Sequence, residues 1–118
     1  MKVYKMNDYE WIASNWDARK TLDWYLKETG LSEEDNPLED VRECDLDKDG
    51  MWWECLDREH INELEAQGIT KTLKTKKPQF GNLEKVGNRW YVYIPFREAL
   101  KRYGFTEDSN PVLIATSY

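Results

Sequence analysis

The sequence predicts a single α+β domain, residues 1–118, with a mostly antiparallel sheet built from β-hairpins and about three helices packed on one side of it. Three observations carry that expectation. Short runs rich in Val, Ile, Tyr and Trp alternate with two-residue turn signals such as Asn7-Asp8 and Gly87-Asn88. Other stretches space their apolar residues at helical intervals and stop at Gly30, Gly68 and Gly104. No internal repeat, low-complexity tract or linker divides the 118 residues, a length that supports one modest core without staples.

Val3 to Met6 and Tyr9 to Ala13 read as two strands joined at Asn7-Asp8. A helix follows from about Asp17 to Thr29, with Ser14 and Asn15 as capping residues and Gly30 as its stop. Ala18, Leu22, Tyr25, Leu26 and Thr29 share one face of it, and Trp24 falls outside that stripe. Leu31 to Asp40 is an acidic connector containing Pro37.

Residues 41–56 hold the most informative segment, Asp45-Leu46-Asp47-Lys48-Asp49-Gly50-Met51-Trp52-Trp53-Glu54. Asp49-Gly50 suits a type I′ turn, because glycine accepts positive φ without strain. Pairing outward sets Leu46 opposite Trp53 and Cys44 opposite Cys55, close enough to bridge. One face then carries Cys44, Leu46, Met51, Trp53 and Cys55, the other Glu43, Asp45, Asp47, Trp52 and Glu54. The rival reading is a calcium loop, with Asp45, Asp47, Asp49 and Gly50 in its opening positions. That loop needs a bidentate Glu where this chain has Leu56.

A second helix spans about Asp57 to Gln67, capped by Asp57, facing inward through Ile61 and Leu64, and closed by Gly68-Ile69. Thr70 to Pro78 alternates Thr and Lys and is either an edge strand or a mobile basic loop. Leu83 to Val86 and Arg89 to Ile94 form another hairpin, with Leu83 opposite Val92. Trp90, Val92 and Ile94 lie on its apolar face, and Tyr91 and Tyr93 lie opposite, near Glu84. Pro95 opens a third helix that buries Phe96, Ala99, Leu100 and Tyr103. Val112 to Thr116 is polar on neither face and reads as a central strand.

The charge is uneven. Residues 1–68 carry 19 acidic and 8 basic side chains, a net −11, whereas residues 69–118 carry 4 acidic and 9 basic, a net +5. The sequence lacks an apolar run of the roughly 20 residues a membrane span needs, and it lacks an apolar leader region. With two cysteines the chain reads as a reduced, cytoplasmic protein.

Catalytic chemistry finds little support. The single histidine, His60, limits acid–base and metal schemes, and Cys44, Cys55, Asp57 and His60 match no zinc spacing. A Cys55–His60 nucleophile–base pair conflicts with the apolar face assigned to both cysteines. An enzyme is not expected, and no cofactor is called for. Binding has two candidate surfaces. Glu43, Asp45, Asp47, Trp52 and Glu54 form an acidic, aromatic-containing face suited to a basic protein partner. Arg89, Tyr91, Tyr93, Arg97 and Arg102, with Trp90, form a basic–aromatic group able to hold a nucleotide. Each surface also has a plain reading as a solvated face beside a core.

The opening Val3-Tyr4-Lys5-Met6-Asn7-Asp8-Tyr9-Glu10-Trp11, the helix ending Glu28-Thr29-Gly30 and the close Ile114-Ala115-Thr116-Ser117-Tyr118 resemble a set of small phage and prophage accessory proteins. Those with known roles often block bacterial immunity, as anti-CRISPR proteins that occupy a nuclease complex or as anti-Thoeris sponges that sequester a cyclic nucleotide. The resemblance implies a non-catalytic inhibitor in the bacterial host cytoplasm, with a defence protein or a small nucleotide as partner. It carries over no ligand residue and leaves a homo-oligomer open. A calcium-binding structural protein is the third expectation.

Overall fold

The computed structural model describes residues 1–55, 58–66, 79–86 and 89–116. Strands β1 (Lys2–Lys5) and β2 (Glu10–Ser14) pair antiparallel, with Tyr4 opposite Ile12 and Val3 opposite Ala13. Their turn is closed by Asn7, whose Oδ1 accepts from the Tyr9 and Glu10 amides at 2.9 and 3.0 Å. Helix α1 (Ala18–Thr29) starts at Asp17, whose carboxylate accepts from the Lys20 amide, and ends at Gly30 with φ 74°. Ser14 and Asn15, expected as its caps, are used otherwise. The Ser14 and Thr21 hydroxyls bond at 2.8 Å, and Asn15 Nδ2 donates to the Thr106 and Glu107 carbonyls. Leu22 and Tyr25 are buried against Tyr4, Met6 and Ile12, and Thr29 is exposed. Trp24 packs half-buried at the edge of this core.

The expected hairpin over 41–56 does not form. Strand β3 (Arg42–Glu43) pairs with β1, setting Glu43 opposite Tyr4 and Arg42 opposite Lys5. Strand β4 (Gly50–Cys55) leaves for a second sheet. Gly50 is not among the positive-φ glycines; it sits in extended backbone where a Cβ would collide with the Ile94 carbonyl. Close approach, not a left-handed turn, is what requires glycine there. Cys44, just past β3 with its amide bonded to the Val3 carbonyl of β1, and the β4 residue Cys55 therefore lie beside different sheets, and Cys44 is a buried free thiol.

The second sheet has the order β4-β6-β5, formed with β5 (Leu83–Val86) and β6 (Arg89–Pro95). Leu83 faces Val92 as expected, and β4 runs its full length beside β6, from Gly50 opposite Pro95 to Cys55 opposite Trp90. Helix α2 (Arg58–Ala66) packs Ile61 against the fully buried Trp90. Its expected cap Asp57, its expected end at Gln67 to Ile69, the basic stretch 70–78 and the turn 87–88 lie outside the described residues.

Helix α3 (Phe96–Tyr103) follows β6 directly and ends at Gly104 with φ 71°. Its Phe96 and Ala99 join Val3, Ala13, Cys44, Met51, Ile94 and Ile114 in the core that unites the two sheets. Tyr103, expected in that core, is 44 % exposed, and its ring leans on Trp53 and Phe105. Strand β7 (Val112–Thr116) completes the first sheet in the order β3-β1-β2-β7. Among the described residues it is an edge strand, not a central one, with Leu113 46 % exposed and a register shift opposite Trp11 and Ile12. The architecture is α+β, with seven strands in two antiparallel sheets and three α-helices among the described residues. None of those helices is long and apolar enough to cross a membrane.

Candidate functional site

The aspartates that suggest calcium close a structural loop. Asp45 Oδ1 accepts from the Asp47 and Lys48 amides at 2.9 and 3.2 Å. Asp49 Oδ2 accepts from the Asp45 amide at 2.9 Å, and the Asp49 amide donates back to the Asp45 carbonyl at 2.8 Å. Pro95 has no hydrogen-bonding side-chain group to cap α3, and the loop supplies the acceptors instead. The Phe96 amide donates to the Asp49 carbonyl and the Arg97 amide to the Leu46 carbonyl, each at 3.0 Å. Arg97 then forks onto Asp47, Nε to Oδ1 at 2.6 Å and Nη2 to Oδ2 at 3.0 Å. Those hydrogen bonds hold the Asp47 carboxyl below its ordinary range. Among the described residues no group of three or more His, Cys, Asp or Glu side chains gathers as metal ligands would.

The outer face of the second sheet has a different character. Residues directly opposite in an antiparallel ladder share a face, which places Trp52 beside Tyr93 and lines up Glu54, Tyr91 and Glu84 in one row. Arg89 and Val86 form the next row on the same face. The Trp52 and Tyr93 rings meet edge-on with centroids 5.2 Å apart.

Phe80 is delivered to this face by a turn that the β6 backbone holds in place. The Asn82 side chain accepts from the Gln79 amide, Gly81 adopts φ 91°, and the Gly81 amide donates to the Tyr93 carbonyl at 2.9 Å. The Phe80 ring stacks on Tyr93 at 5.5 Å and 17°. Burial pushes the Tyr93 hydroxyl up from its ordinary value. Phe80, Trp52, Tyr91 and Tyr93 belong to none of the hydrophobic cores among the described residues, and each keeps some exposure. Arg89 Nε lies 3.7 Å from Glu54.

The structure thus redistributes both expected surfaces. Trp52 and Glu54 from the acidic group share one face with Arg89, Tyr91 and Tyr93 from the basic–aromatic group. Glu43 lies on the first sheet, 3.5 Å from Lys2, and Asp45 and Asp47 belong to the capping loop. Arg97 is engaged with Asp47. Arg102 pairs with Glu98 at 2.7 Å and covers the Trp53 ring at 5.5 Å, on the core side of β4. Phe80 lies outside both groups expected from the sequence, because its Phe80-Gly81-Asn82 turn signal is local and the strand that receives the ring lies further along the chain.

Neither a protein-family model, nor a curated protein, nor a solved structure matches this chain.

Proposed function

We propose that the chain is a non-catalytic inhibitor of a bacterial immune protein, acting from phage or prophage, and that it docks through the outer face of its second sheet. The observation that carries this reading is the strip Phe80, Tyr93, Trp52, with Tyr91 beside it and Glu54, Glu84 and Arg89 around it, outside every core. Trp, Tyr and Arg are the residue types that dominate interface energetics, and flanking carboxylates suit a basic partner surface. The phage setting rests on the likeness of the chain's ends to accessory proteins of that type.

The test is co-expression with a panel of bacterial immune systems, scored by phage plating and by co-elution of the inhibited component. The expected result is relief of one system by the native chain. A Trp52→Ala/Tyr93→Ala variant that retains its cooperative melt should bind at least about 30-fold more weakly, as loss of a hot spot of roughly 2 kcal/mol implies. Undiminished inhibition by that variant would remove the face from the reading. The sponge alternative retains only Arg89, Tyr91 and Tyr93 on this face, and Arg89 already meets Glu54. Cyclic nucleotides and ADP-ribose derivatives at about 100-fold over Kd would stabilise a sponge by roughly 2.7 kcal/mol. No rise in melting temperature is the outcome that favours protein docking.

A further inference from the structure

One end of the first sheet carries an unusual arrangement of charge. Lys5 and Arg42 stand directly opposite each other in the β1–β3 ladder, a like-charge pair that is unfavourable unless something neutralises it. Asp8 from the β1–β2 turn and Glu39 and Asp40 from a short 3₁₀ turn (Leu38–Asp40) complete, with Asn7, an open cleft of about 370 Å³. The cations come from strands and the carboxylates from the two connecting segments. Among the described residues none of these five charged side chains forms an ion pair, although Arg19, Arg89, Arg97 and Arg102 each meet a carboxylate. Lys5 Nζ lies instead over the Trp11 ring at 5.5 Å.

The frame of the cleft is fixed by a buried amide network. Asn36 is 3 % exposed; its Nδ2 donates to the Met6 carbonyl at 3.0 Å, and its Oδ1 accepts from Asn7 Nδ2 at 3.1 Å. Asn7 Nδ2 also reaches the Tyr25 hydroxyl at 2.8 Å, which donates to Glu10 at 2.6 Å. This network ties the segment before Glu39 and Asp40 to the turn bearing Asp8, so the spacing of the charges is established by folding and need not be created by a ligand.

A simple anion in this cleft would face three carboxylates, and a simple cation would face Lys5 and Arg42. Only a ligand carrying both charges answers both sets. We propose that the cleft binds a small zwitterion. Its carboxylate or phosphate lies between Lys5 and Arg42, and its ammonium or guanidinium points toward Asp8, Glu39 and Asp40. The volume falls within the range of about 300–1,000 Å³ typical of small-molecule sites. This site is separate from the aromatic face and does not depend on the inhibitor reading.

The test is an amide-resolved NMR titration of the full chain. L-arginine and phosphoethanolamine are the zwitterionic probes, and inorganic phosphate and putrescine are the single-charge controls. At least one zwitterion should shift the amides of Lys5, Asn7, Asp8 and residues 39–42 saturably. Arginine binding would identify a carboxylate ligand and phosphoethanolamine binding a phosphate ligand. Arg42→Gln and Asp40→Asn, both at exposed positions, should each weaken binding by about tenfold without changing the melting temperature. The proposal is overturned if neither zwitterion binds saturably, if phosphate or putrescine binds as tightly as the better zwitterion, or if both variants bind like the native chain.

Discussion

Replacing Gly50 with alanine places a methyl group against backbone that cannot yield. A Cβ at this position collides with the Ile94 carbonyl oxygen and comes within 2.8 Å of Phe80 Cε1 and 3.0 Å of the Ile94 carbonyl carbon. Phe80 sits on a turn, 44 % exposed, and its ring can swing away. The Ile94 carbonyl belongs to β6, so relief there requires β4 and β6 to separate locally. Overpacking of this kind costs about 1–3 kcal/mol, and the upper part applies because the obstacle is main chain. Loss of unfolded-chain entropy returns roughly 0.4–1 kcal/mol. The expected net destabilisation is about 2 kcal/mol, or roughly 6–12 °C in melting temperature for a domain of this size. Urea unfolding followed by tryptophan fluorescence should show a lower midpoint with an unchanged slope. Gly50→Asn separates the two explanations for this glycine. Asparagine tolerates a left-handed turn and would be mild there, but it is as crowded as alanine beside Ile94. Native-like stability of Gly50→Ala, or an asparagine variant much milder than alanine, would refute the close-approach account.

Three further outcomes follow from the same geometry. Asp45→Ala removes the acceptor for the Asp47 and Lys48 amides and should lower stability by about 1 kcal/mol in urea unfolding, as loss of a comparable cap does. Asp47 has a depressed folded-state pKa, so its contribution is present above its unfolded value of 3.8 and is lost as pH falls through the lower folded value. Asp47→Asn should therefore flatten the acid limb of melting temperature against pH while Arg97 is retained. Burial raises the Cys44 thiol to about 11, so in a Cys55→Ser background alkylation at pH 8 should be slow in the native state and fast in denaturant. The same shift makes stability decline between the ordinary value of 9.0 and about 11, because the folded state holds the proton longer.

Elements whose determinants are local could be read from the chain. The β1–β2 pair, α1, the Leu83–Val92 register and α3 each depend on alternation, a stop glycine or a turn within a few residues. Asp49-Gly50 misled because its local signal is genuine turn chemistry, whereas the partner of β4 is decided by β6, about forty residues later. Apolar alternation says that Met51 and Trp53 face inward. It does not say which strand lies beside them. Val112–Thr116 looked central because it lacks charge, yet exposure at Leu113 reflects its place in the sheet order, which composition does not encode. The candidate face was legible in halves. Trp52 with Glu54 and Arg89 with Tyr91 and Tyr93 were each singled out, and only the long-range pairing of β4 with β6 makes them one surface.

The capping loop between β3 and β4 has a thermodynamic consequence. One of its ends is hydrogen-bonded into the first sheet and the other into the second, and its Leu46 and Asp49 carbonyls hold the first amides of α3. Opening either sheet at this point breaks hydrogen bonds to the other two elements, at a cost of roughly 0.5–1.5 kcal/mol for each bond lost. Two ladders that share no strand are thereby coupled through five residues, Asp45 to Asp49, and the expected outcome is a single cooperative transition, with coincident unfolding curves by fluorescence and circular dichroism, where strand order alone would allow two.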